Sequence, residues 1–159
     1  MLKTTQTKFR TIVLLFFLFS IITSFTNVEK NTSIEDFIAF EVTEEVPLFK
    51  GCDGSSSRKE AVECFNKKMM NHIKRNFTYP EEALENNIQG RVEVSFIINE
   101  VGIVKDIQAN ASNEKANEKK ILETEAIRIV SLLPKFTPGK HQGKVVNVKY
   151  GLPITFKMM

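Results

Sequence analysis

The sequence predicts an α+β domain built on a three-stranded antiparallel sheet with helices packed on one face. Three observations predict it. From Val146 to Phe156 the apolar residues Val146, Val148, Tyr150, Leu152, Ile154 and Phe156 alternate with Asn147, Lys149, Gly151, Pro153 and Thr155. Such period-2 alternation is a strand with one face buried and one face wet. Val92, Val94, Phe96 and Ile98 repeat the pattern. Leu122, Ala126, Ile129, Val130 and Leu133 instead recur at helical spacing and form one apolar stripe. The order is helix, helix, strand, strand, helix, strand, which segregates helices to one face of an antiparallel sheet.

At the N-terminus Lys3, Lys8 and Arg10 precede an apolar run from Ile12 to Ile22, and polar residues resume at Asn27. A charged segment followed by an apolar one is the plan of a secretory signal. The run is slightly short for a spanning helix of about 20 residues, so residues 1–26 read as a signal peptide, with an inner-membrane anchor as the rival. Either places the rest of the 159-residue chain outside the cytoplasm. Residues 27–46 are acidic and polar with scattered apolar positions, and read as a linker. Residues 47–159 form the domain.

Ser57 and Glu60 have the spacing of a capping box, so the first helix starts there. Val62, Phe65, Met69 and Ile73 give its inner stripe. Pro80 opens a short second helix, because a proline at the first helical position wastes no hydrogen bond. Ala83, Leu84 and Ile88 form its inner side, and Gly90 ends it. Arg91–Ile98 is the first strand, Asn99–Gly102 a tight turn, and Ile103–Asn110 the returning strand. The long helix runs from Asn117 to Leu133 and stops at Pro134. A Pro/Gly loop then leads to the last strand.

The composition narrows the function. A net charge of +3, with acids and bases interspersed, lacks the dense basic stripe of a nucleic-acid binder. Cys52 and Cys64 are the only cysteines. In an oxidising compartment an even count reads as a disulfide, pinning the segment before the first helix onto its start. His72 and His141, the only histidines, each stand alone in polar surroundings and read as surface residues. No metal or cofactor is implied, and no Ser/His/Asp constellation supports an enzyme. A nucleophilic Cys64 beside His72 is the weaker use of that cysteine.

The last strand carries the functional expectation. Pro153 cannot donate a ladder hydrogen bond, which places the strand at a sheet edge. A long edge strand carries unpaired peptide groups and accepts a strand from another chain. Val148 reads as one of the residues whose N–H points outward. A second copy pairing at the same edge, giving a homodimer, is the alternative.

Tyr79-Pro80-x-x-Ala83, Ile88-x-Gly90-x-Val92, Phe96 with Asn99–Gly102, Leu133-Pro134-Lys135-Phe136-Thr137-Pro138-Gly139, and Gly143 through Phe156 follow one another in order. Together they resemble the C-terminal domain of TonB-type energy transducers over about half the chain. The Val46–Cys52 stretch resembles a Bacteroidetes-type subgroup. The resemblance implies a non-enzymatic periplasmic domain. It would pair its last strand with the TonB box of an outer-membrane receptor in energy-coupled transport, with ExbB and ExbD as inner-membrane partners. Carried over by position, the partner-binding residues are Val145, Val146, Asn147, Val148, Lys149 and Tyr150, with Tyr79, Pro80 and Leu84 nearby. The chain departs from the family plan twice: its apolar N-terminal run has no histidine, and no Pro-rich spacer follows. Those departures favour the alternative of a soluble TonB-like domain that self-associates or binds another periplasmic protein without transducing energy.

Overall fold

A computed structural model describes residues 37–52 and 57–158. The leader and residues 27–36 lie outside the described residues. The elements are β1 (Phe37–Ala39), α1 (Arg58–Asn76), α2 (Glu81–Glu85), β2 (Gly90–Ile98), β3 (Val104–Ala111) and α3 (Ala116–Ser131). They are followed by β4 (Lys140–His141), β5 (Lys144–Val145) and β6 (Asn147–Phe156). The class is α+β as expected, but the main sheet has four strands, in the order β1-β6-β2-β3. β2 pairs antiparallel with both β3 and β6, whereas β1 lies parallel on the outer side of β6. β4 and β5 form a separate small hairpin. Its turn is Gln142-Gly143, both at positive φ, as a two-residue hairpin of matching twist requires. Val145 therefore belongs to this hairpin and not to the last strand.

The alternating residues do what their spacing predicts. Val92, Val94, Phe96 and Ile98 of β2 and Val148, Leu152, Ile154 and Phe156 of β6 are buried, joined by Leu122, Ala126, Ile129 and Val130 of α3. α1 adds Phe65 and Met69. Its start is the predicted capping box: Ser57 N–H donates to Glu60 Oε2 at 2.9 Å, and Glu60 N–H donates to Ser57 Oγ at 3.3 Å. Cys52 and Cys64 are joined as a disulfide.

Residues 37–46 correct the linker reading. Phe40 is 5% and Val46 4% exposed, and Thr43 is fully buried. After β1 the chain turns tightly, the N–H groups of Val42 and Thr43 both donating to Ala39 O. It then pairs antiparallel with β4 and the loop before it: Glu45 exchanges two backbone hydrogen bonds with Lys140, and Leu48 two with Thr137. Phe40 and Val46 of this acidic stretch enter the core, which overrides its polar composition.

Two details of the α2 region also differ. Leu84 is 49% exposed, while Ala83 and Ile88 are buried. The helix ends at Glu85, and Asn87, at φ 53°, makes the left-handed stop assigned to Gly90. Gly90 begins β2, where a Cβ would lie 2.2 Å from Asn113 Oδ1. Its role is close approach. At Gly102 both reasons apply: φ is 82°, and a Cβ would come within 1.9 Å of the Phe136 carbonyl oxygen.

Candidate binding edge

β6 is positioned by its ladder with β2, which runs unbroken from Gly90↔Phe156 to Ile98↔Val148. Peptide groups alternate between the two edges of a strand with the same period as the side chains. Phe40 N–H donates to Lys149 O at 2.9 Å, so Lys149 faces outward, away from β2. By that parity Asn147, Gly151, Pro153 and Thr155 face outward as well, and Val148 faces β2. The expected outward N–H at Val148 is thus corrected: its side chain is fully buried and its peptide groups belong to the ladder. Pro153 occupies an outward position, opposite Glu93, where its missing N–H costs the β2 ladder nothing.

Of the expected Val145–Tyr150 rim, the Asn147–Lys149 part is not free. β1 covers it with Phe37 opposite Asn147, Ile38 opposite Val148 and Ala39 opposite Lys149. The Phe37 ring sits under Lys149, whose Nζ lies 4.7 Å from the ring centroid. Beyond Lys149 the arm turns off the edge. Among the described residues no strand runs beside Gly151–Thr155 on the outer side. Gly151, Pro153 and Thr155 are exposed.

What holds the arm is concentrated at Phe40. Its ring centroid lies 4.7 Å from that of Phe65 and 4.8 Å from that of Tyr150. Arg58, the first residue of α1, donates to the carbonyls of Thr43 at 2.9 Å, Phe40 at 3.1 Å and Glu41 at 2.7 Å. Guanidinium groups suit such a task because their donors are fixed in a planar fork. Tyr150 points inward too, its hydroxyl 3.2 Å from Asn66 Oδ1. Burial, with the Glu41 carboxylate second, pushes its phenol above its ordinary pKa.

The other expected partner residues lie elsewhere. Tyr79 packs edge-on against Phe156, ring centroids 5.9 Å apart, and donates from its hydroxyl to Ile88 O at 2.7 Å. Pro80 caps α2, and Leu84 points to solvent. This group sits at the Phe156 end of β6. At about 3.4 Å per residue the two ends of that ten-residue strand are roughly 30 Å apart. Tyr79–Leu84 and Val145–Tyr150 therefore do not form one site. Val146 is half-buried against the core.

The disulfide removes Cys64 as a nucleophile. His72 is not a loose surface residue: its Nε2 lies 2.9 Å from Ile129 O and ties α1 to α3. Sequence reasoning also missed Glu125. Its carboxylate is nearly buried, accepts the Thr78 N–H at 3.0 Å, and receives two hydrogen bonds from Arg128, each 2.7 Å. Arg128 also donates to Asn76 O, so the pair bolts the α1–α2 junction onto α3.

The family model for the Gram-negative bacterial TonB protein C-terminal domain matches residues 75–158. The chain belongs to this family. Two NMR solution structures of the Helicobacter pylori TonB C-terminal domain are similar to it. One is 26% identical, covering 66% of this chain and 86% of that one, with a TM-score of 0.46. The other, a shorter form, is 27% identical, covering 58% and 91%, with a TM-score of 0.38. No curated protein matches the chain. The matched residues contain α2, β2, β3, α3 and β6, but neither β1 nor most of α1. The strand that covers the candidate edge is thus outside the family match.

Proposed function

We propose that this is a periplasmic peptide-binding domain that takes an extended segment of an outer-membrane receptor onto the outer edge of β6, as part of a TonB-type transport system. The observation that carries the reading is the edge itself. β6 presents outward peptide groups along its length, it already holds one parallel strand at Asn147–Lys149, and among the described residues no strand pairs with the outer side of its Gly151–Thr155 stretch. Strand addition supplies affinity through the backbone and selects sequence through alternate side chains. Family membership supports the receptor as the source of that strand, and coupling to inner-membrane ExbB/ExbD-type proteins belongs to the same reading.

The test is capture of outer-membrane proteins on the immobilised full chain, with the retained proteins identified. A receptor of the β-barrel type is expected. Lys149→Pro deletes an outward N–H and leaves the β2 ladder intact, because Lys149 faces away from β2. It is expected to abolish capture. Undiminished capture by that variant refutes strand addition at this edge.

A further inference from the structure

β1 stands where a partner strand would stand, yet it is held unevenly. Ahead of Phe40 the arm is less buried: Phe37 and Ile38 are half-buried, Ala39 is exposed, and the Phe37 ring lies against Lys149. From Phe40 onward the arm is anchored by the Phe65 and Tyr150 rings and by Arg58 on three carbonyls. The boundary between a light tip and a fixed base falls between Ala39 and Phe40. The tip uses only the Asn147–Lys149 part of the edge, because the chain turns away at Phe40. A longer segment lying parallel on β6 would also meet the outward groups of Gly151, Pro153 and Thr155.

Resting on the peptide-binding reading above, we propose that Phe37–Ala39 is a resident occupant of the partner site, and that the partner is an extended segment of the same chemistry which displaces it. That segment runs parallel to β6. It places an aromatic side chain opposite Asn147, over Lys149, then an aliphatic one beside Val148 and a small one opposite Lys149, and continues along Gly151–Thr155. The partner competes by length: it makes the bonds the tip makes and adds those the tip cannot reach. The tip lowers the apparent affinity by the fraction of molecules in which it is docked.

The probe is a synthetic peptide with the sequence of residues Phe37–Glu45, long enough in the β1 register to reach from Asn147 to Thr155, titrated into the full chain with the disulfide intact and followed by amide shifts. Ile38 faces β6 by the parity that Phe40 N–H sets, so Ile38→Pro removes a tip hydrogen bond without touching the Phe40 anchor. Phe37→Ala is the milder variant and removes only the ring over Lys149. Both are expected to keep the cooperative thermal transition of the unmodified chain. Ile38→Pro is expected to bind the probe at least about tenfold more tightly than the unmodified chain, with shifts at Lys149 and Gly151; Phe37→Ala should fall between the two. Equal affinity in all three proteins, or shifts confined to residues outside β6, overturns the proposal. So does a tighter probe complex in which two full chains have exchanged tips, seen as a dimer by light scattering. The receptor reading fails separately. If the variants gain probe affinity but no chain captures a receptor, the occupied edge stands and the receptor reading falls. If the unmodified chain and Ile38→Pro capture a receptor equally well, the occupant falls and the receptor reading stands.

Discussion

Replacing Phe40 with alanine separates an integral arm from a tethered linker. Phe40 is 5% exposed and packs against two rings at under 5 Å. Truncating a buried phenylalanine costs about 3–5 kcal/mol, the transfer of its atoms plus the cavity left behind. The Arg58 bonds go to backbone carbonyls and survive the substitution, so the lower end, about 3 kcal/mol, is expected. In a domain of this size that corresponds to a fall in Tm of roughly 10–15 °C. The assay is urea unfolding followed by far-ultraviolet circular dichroism, with the disulfide oxidised. Val42→Ala, at a side chain 63% exposed, is the control and should stay within about 0.5 kcal/mol. A loss below about 1 kcal/mol for Phe40→Ala would refute the reasoning, since a loosely attached arm lends the core nothing.

Three further outcomes are expected. Glu125→Ala leaves the Thr78 N–H without its acceptor and Arg128 without its carboxylate, and should cost about 1–3 kcal/mol in the same urea assay. Cys52→Ala/Cys64→Ala opens a loop spanning a sequence separation of 12, and should lower stability by about 3 kcal/mol in the chain-entropy model. Tyr150 titrates above its ordinary value because burial disfavours the phenolate and Glu41 adds to that. Its folded pKa is raised, so its contribution is complete below the unfolded value of about 10 and is lost as pH rises through the higher folded value. Burial raises Tyr79 as well, so ultraviolet phenolate titration should show both tyrosines late, and Tyr150→Phe should remove the Tyr150 part of the alkaline loss of stability.

The parts of the fold legible in the sequence are those whose signal repeats. β2, β6 and α3 each carry four or more apolar residues at one period, and Ser57 with Glu60 marks the start of α1 by a local exchange of hydrogen bonds. Elements too short to repeat were not legible. β1 has three residues, below the four to eight that make alternation readable. α2 has five, so nothing in its pattern distinguished Leu84, which is exposed, from Ala83, which is buried. Glu125 reads as one more charge on a polar helix until Thr78 and Arg128 are seen around it. For the candidate site, alternation told which side chains of β6 go inward. It did not tell which edge a given peptide group faces, because that parity depends on the neighbour. Val148 was misplaced for this reason, and the neighbour on the far side was invisible for the other.

The outer rims of β3 and β6 are protected differently, and the difference argues for which one binds. β3 is blunted by its own geometry. Its register with β2 slips between Ser95 and Ile97, leaving Asp106 at φ 53° beside Lys105. The N–H of Ala111 is taken by Glu123 at 2.8 Å. A bulge with charged residues at an edge prevents strand addition permanently. β6 has no such irregularity: its ladder with β2 is regular over its whole length. Its protection comes from a separate segment of chain, lightly held at the tip and firmly held at the base. A bulge cannot be undone by a ligand, whereas a strand that pairs through a few peptide groups can be exchanged for another that pairs through more. On the proposed function, the rim of β6, covered by a separate segment, is the one suited to a partner.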